Sequence, residues 1–163
     1  MNLLLKHLKL QLLDNLKLRK AKFNDSSLLL EWANDADMRN NSFHSKLINK
    51  DDHIKWFKKK LTESNDTSIY ILELSETPIG QIRFERIKNG CLIDFFITKG
   101  ERGKGYGKNI ILMGVEKIIN KWKNIDFISA EVKKDNTPSK KVFIDLNFTE
   151  TSYPDRYLYT LKV

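Results

Sequence analysis

Between Glu101 and Asn109 the chain reads ERGKGYGKN, which places three of its seven glycines within five residues, beside Arg102, Lys104 and Lys108. The first amides of a helix lack intrahelical partners and carry the positive end of the dipole. A turn stripped of side chains there suits an anion such as phosphate. Two phosphate-loop patterns can be tested residue by residue. A P-loop needs glycine where Arg102 stands and a hydroxyl residue where Asn109 stands. The dinucleotide fingerprint would begin at Gly103 and Gly105 and then needs glycine where Lys108 stands. Both fail, and what remains is R-x-x-G-x-G from Arg102 to Gly107. The competing reading is a plain tight turn, because glycine is favoured wherever φ must be positive.

The elements around the turn decide its setting. Ahead of it, CLIDFFIT is nearly continuously apolar and reads as a central strand. Behind it, Ile110, Ile111, Val115, Ile118, Ile119 and Trp122 recur at helical spacing. Upstream, Leu16 to Phe23 alternates apolar and basic residues as a half-buried strand, and Asp25 or Ser26 caps a helix carrying Leu28, Leu29, Leu30 and Trp32. A polar, turn-rich stretch follows. A second helix starts near Asp51 with Ile54, Phe57 and Leu61 on one face. SIYILEL and PIGQIRFERI pair as a hairpin through SETP. After the turn and its helix come the strand FISAEV, a short helix with Pro138 in its first turn, and closing strands ending in RYLYTLKV. The order describes a mixed α/β sheet with helices on its faces.

The R-x-x-G-x-G turn between strand and helix resembles the acetyl-CoA loop of the GNAT superfamily of N-acetyltransferases. A second segment, VKKDNTPSKKVFIDLNF, is similar to that family's N-x-x-S-x-x-hydrophobic-Y/F pattern, with Asn136, Ser139, Val142, Phe143 and Phe148 at matching intervals. The resemblance covers roughly Leu18 to the C-terminus. It implies a GNAT fold, a mostly antiparallel sheet with a splayed strand pair and helices on both faces, and acetyl-CoA as co-substrate without a metal. It also implies direct transfer of acetyl to a primary amine. By resemblance, Arg102, Gly103, Lys104, Gly105, Tyr106, Gly107 and Lys108 would surround the CoA pyrophosphate. Phe96, Ile97 and Thr98 would contact the pantetheine and the thioester carbonyl. Asn136, Ser139 and Phe143 would complete the cofactor site. Where many relatives have a tyrosine that protonates the departing thiolate, this chain has Phe143, so either another tyrosine substitutes, Tyr159 being the nominated candidate beside Tyr153 and Tyr157, or the thiolate leaves unaided. Asp94 and Glu131 are the candidate general bases, with a water relay as a third choice.

Substrate choice in such a fold lies between the first strand and the second helix. There the patterns W-x-N-D, R-x-N-S-F and H-x-x-W-F resemble a subgroup that acetylates UDP-linked amino-dideoxy sugars on the path to pseudaminic-type sugars. Arg39 would fork onto a diphosphate, Trp56 would stack on a base or sugar, and Asn41, Ser42 and His53 would address hydroxyls. The same region is also similar to the ribosomal-protein N-terminal acetyltransferases. A protein N-terminus or a small amine is therefore the alternative substrate, and a non-catalytic acetyl-CoA-binding module the alternative of another class.

With 163 residues the chain fits one catalytic domain over residues 16–163, preceded by a leucine-rich segment over 1–15 that reads as an amphipathic helix. Lys6, His7 and Lys9 interrupt that segment, which argues against a signal peptide or a membrane span. The net charge of +8 suits an anionic ligand. No helix-turn-helix, finger or aromatic-interleaved basic stripe points to nucleic acid. One cysteine, Cys91, excludes an internal disulfide and fits a cytoplasmic location. A homodimer is compatible with all of this.

Overall fold

The computed structural model describes residues 15–163. The helix expected over residues 1–15 thus lies, but for Asn15, outside the described residues. In chain order the elements are β1 (Leu16–Lys20), α1 (Ser26–Ala33), α2 (Ala36–Asn41), α3 (Lys50–Thr62), β2 (Thr67–Leu74), β3 (Thr77–Ile87), β4 (Gly90–Ile97), α4 (Tyr106–Lys121), β5 (Phe127–Lys133), α5 (Thr137–Asp145), β6 (Thr149–Ser152) and β7 (Arg156–Lys162). Short 3-10 turns precede α1 and follow β4. The strands form one sheet in the order β1-β2-β3-β4-β5-β7-β6. Every neighbouring pair is antiparallel except β4 and β5.

Strand alternation sorts the side chains into two layers. One face carries Leu18, Leu72, Ile82, Phe84, Ile93 and Ile128 against Ile110, Ile111 and Ile118 of α4 and Phe143 of α5. The other carries Ile69, Ile71 and Phe96 against Leu29 and Trp32 of α1 and Phe57 of α3. Helices therefore cover both faces. The hairpin turn between β2 and β3 uses Ser75 and Glu76, both with positive φ (48° and 68°). Two successive left-handed residues match the right-handed twist of the strands, and here neither is glycine.

Three local expectations change. The first strand stops at Lys20 rather than reaching Phe23. Asp25 precedes α1, but its carboxylate accepts hydrogen bonds from Arg19 at 2.8 Å and from the Lys22 amide at 2.7 Å, and makes no cap on that helix. Arg19 also reaches Glu73 at 2.6 Å, and the bonds from Arg19 and then the Lys22 amide hold Asp25 below the usual carboxylate range. Finally, the polar stretch after α1 contains α2, whose N-cap Asp35 accepts from the Met38 amide at 3.1 Å. At six residues with none buried, α2 carries no apolar period to announce it.

Candidate active site

The centre of the sheet contains a gap. β4 and β5 pair only over Gly90–Leu92 and Phe127–Ser129, after which the strands part. The Thr98 amide donates to the Ile79 carbonyl at 2.9 Å, which fixes the phase of the β3–β4 ladder. In an antiparallel ladder alternate residues turn their polar groups to opposite sides. Phe96 and Thr98 therefore direct their amides to β3, and Phe95 and Ile97 direct theirs into the gap. Of the three residues expected to contact the cofactor through their backbone, Ile97 faces the gap, whereas Phe96 and Thr98 are committed to the ladder. Phe95, not among the expected residues, also turns its amide into the gap; only the register shows it. The Phe96 side chain is core, tilted against Trp32 with ring centroids 5.6 Å apart. Gly80 sits opposite this point because a Cβ there would come within 2.4 Å of the Phe96 carbonyl oxygen.

β4 leads into the glycine turn and α4. Gly103 and Gly105 have φ of 77° and 92°, and a Cβ at either would meet nothing within 4 Å. The turn is open towards solvent over the first amides of a sixteen-residue helix. The residues present therefore fit a pyrophosphate held by backbone N–H groups. The side chains do otherwise. Lys104 pairs with Glu101 at 2.9 Å, Lys108 with Asp145 at 2.6 Å, and Arg102 with Asp37 at 2.6 Å and Asp35 at 3.4 Å. Tyr106 is buried in the core rather than lining the turn. The affinity of this turn for an anion thus rests on amides and dipole, with its cations already neutralised.

On the opposite wall of the gap, Asn136 caps α5 by accepting from the Ser139 amide at 3.2 Å. Phe143 lies 2% exposed beneath the gap, stacked on Tyr159 at 5.3 Å and edge-on to Phe95 at 5.8 Å. Tyr159 is fully buried and its hydroxyl donates to Glu150 on β6. Burial and the Glu150 carboxylate push its ionisation far above the ordinary tyrosine value. The Tyr159 hydroxyl is therefore engaged away from the gap. Cys91 is likewise buried, its thiol pushed up to about 12 by desolvation.

The other face of the parting strands is polar. Leu92 pairs with Ser129, so two residues further on Asp94 and Glu131 project from the same face on opposite sides of the gap. Their surroundings differ. Glu131 is bound by Arg156 at 3.1 Å. Asp94 has Arg83, its cross-strand partner on β3, at 3.6 Å. The protein around Asp94 raises its carboxyl above the ordinary value chiefly by desolvation, and Glu85 adds to this while Arg83 and Arg39 oppose it. The side chain nonetheless keeps 39% of its surface open, which describes a group on the floor of a cleft. Arg83 continues the cleft by lying 5.4 Å from the Trp56 ring of α3.

α2 and the loop after it cross this cleft. Asn40 accepts from Lys133 of β5 at 2.8 Å, and Phe43 lies under Arg156 of β7 at 4.7 Å. The expected substrate residues divide into three groups. Trp56 reaches the cleft through Arg83. Arg39 donates to the carbonyls of His44 and Lys46 at 3.0 and 3.3 Å and to Ser42 at 3.3 Å; Ser42 donates to Met38, and Asn41 to the Asp37 carbonyl. These three shape the loop. His53 is buried with Nε2 on the Ser26 carbonyl at 3.0 Å, and desolvation holds its imidazole below the ordinary value. It fastens α3 to α1. Arg83, Lys133 and Arg156 were not legible as site residues, because only the register places them beside the carboxylates.

Amides bared between parting strands, running up to a glycine turn on a helix start, offer a line of backbone donors that suits an extended anionic ligand. Residues 15–149 match the acetyltransferase (GNAT) domain family, and the chain belongs to that family. It is accordingly an N-acetyltransferase that uses acetyl-CoA as co-substrate. Among solved structures, spermidine N-acetyltransferase from Vibrio cholerae, in complex with CoA and spermine, superposes with a TM-score of 0.81 at 15% identity, covering 91% of this chain and 96% of that one. A ribosomal L7/L12 alpha-N-protein acetyltransferase in complex with CoA gives 0.77 at 16%, covering 91% and 94%. An aminoglycoside acetyltransferase in complex with CoA gives 0.75 at 17%, covering 90% and 94%. These likenesses concern the fold. No curated protein sequence matches the chain.

Proposed function

We propose that the chain acetylates the amino group of a nucleotide-linked amino sugar, with Asp94 taking the proton of the attacking amine. The observation that supports this reading is the mixed charge of the cleft. Its two carboxylates stand among Arg83, Arg39, Lys133 and Arg156. Polyamines, which one structural neighbour carries, call for a predominantly acidic wall; cations beside a carboxylate and the Trp56 ring suit an amine joined to a diphosphate and a base.

Asp94 is preferred over Glu131 on electrostatic grounds. A base works best with a pKa near the operating pH, and desolvation moves Asp94 that way while Arg156 holds Glu131 in an ion pair. Acetyl-CoA, when bound, supplies the activated acetyl group. The Ile97 and Phe95 amides face the gap, where they would stabilise negative charge developing on the carbonyl oxygen. With Phe143 unable to donate and Tyr159 bound to Glu150, no tyrosine is assigned to the leaving group. The thiolate is then left to depart without a positioned proton donor.

The test is thiol release from acetyl-CoA with UDP-linked amino sugars, N-terminal peptides and polyamines compared at equal concentration. Release with the nucleotide sugar and little with the others is expected. Release with peptides alone would assign the chain to the alternative substrate, and thermal stabilisation by acetyl-CoA without turnover on any amine would make it a binding module.

A further inference from the structure

We propose that Arg102 is a positioning residue that straps the glycine turn to α2, so that CoA seated on the turn orders the wall of the amine cleft. The inference rests on the cofactor reading of the turn and deepens it. Arg102 is the first residue of R-x-x-G-x-G, yet its guanidinium is taken up by groups outside the turn. Nε donates to the Ile97 carbonyl at 2.8 Å, Nη1 to Asp37 at 2.6 Å and Nη2 to Asp35 at 3.4 Å, and the group lies 5.4 Å from the Phe96 ring. Both edges of the planar fork are thereby occupied by protein groups, which leaves the side chain unsuited to grip a phosphate bidentately.

α2 needs such a tie. It has no fully buried residue, and its one apolar anchor is Met38, half-buried against the second core. Polar contacts hold its two ends: Arg102 on Asp35 and Asp37, and Lys133 on the Asn40 carbonyl. From its last turn Arg39 then holds the carbonyls of His44 and Lys46. One chain of contacts therefore runs from the glycine turn through α2 to the loop that crosses the cleft. An anion that fixes the backbone of Gly103 to Gly107 also fixes Arg102 and, through it, α2. Coupling of this kind is reciprocal, so an ordered α2 favours CoA as CoA favours an ordered α2.

Hydrogen exchange read by mass spectrometry, with CoA itself as the probe, tests the strap without knowledge of the amine. In the wild type CoA should slow exchange over residues 102–110 and also over 36–47, by about fivefold or more. In Asp37→Asn, which keeps size but removes the charge Arg102 holds, protection of 102–110 should persist and that of 36–47 should be lost. Asp37→Glu should restore it. Protection of 102–110 with no change over 36–47 in the wild type would overturn the strap, as would equal protection of 36–47 in Asp37→Asn. Absence of protection over 102–110 would instead overturn the cofactor reading, and the strap with it.

Discussion

Asp94 and Glu131 leave the sheet at the same level and on the same face, and their neighbours set them apart. Asp94→Asn should lower kcat by about 10²- to 10⁴-fold, the usual worth of a positioned base, with acetyl-CoA affinity unchanged. In the wild type kcat/KM should rise with pH through a pKa above the ordinary carboxylate value, and this limb should vanish in Asp94→Asn. The sign for stability is opposite to that for activity. A carboxyl raised on folding contributes stability below its unfolded pKa and loses it as pH rises through the folded pKa. Asp94→Asn should therefore have a higher urea midpoint than the wild type at neutral pH. His53 gives the converse case, its imidazole kept neutral by burial. Stability should be full above about pH 6.5 and fall as pH drops through the lower folded pKa, with the imidazole signals titrating over that same lower range by NMR. These pairings were only partly legible. Asp94 and Glu131 could be nominated as strand carboxylates, but Arg83 and Arg156 enter through cross-strand register, which spacing along one chain does not contain.

At the scale of elements, the glycine turn was readable because its chemistry is local. Gly105 at φ 92° is the residue before α4, where any side chain would be strained and would stand over the first amides. Gly105→Glu should abolish acetyl-CoA binding, measured by calorimetry, in a protein whose circular dichroism stays near native. The β2–β3 hairpin makes an independent prediction. Ser75 and Glu76 occupy left-handed positions that Asn and Gly prefer, so Ser75→Asn with Glu76→Gly should raise stability by about 1 kcal/mol in urea unfolding. α2 was the element the sequence hid. It is too short for periodicity and is held by ion pairs to a residue 65 positions away. The same reason explains Arg39, Ser42 and Asn41, whose polar types suggested ligand contacts and whose bonds run to the loop they shape.

For the whole molecule, the order of strands and helices was legible from alternation and helical spacing, and the central position of β4 from its apolar run. The parting of β4 from β5 is a property of two strands brought together across α4, and it creates the site. Within the sheet it bares the amides of Phe95 and Ile97 along the gap beside the glycine turn; on the face crossed by α2 it separates Asp94 from Glu131. The net charge of +8 takes on meaning at this scale, because Arg83 and Arg156 pair with the two carboxylates that would meet the amine and the charge of Arg39 is felt at Asp94. The central claim is that this cleft brings a nucleotide-linked amine to Asp94. It is tested most directly by steady-state thiol release from acetyl-CoA with a UDP-linked amino sugar, in wild type and Asp94→Asn. Turnover is expected in the wild type, with its loss in the variant while acetyl-CoA still binds. Turnover on peptides or polyamines but not on the nucleotide sugar, or an Asp94→Asn enzyme as fast as the wild type, would contradict it.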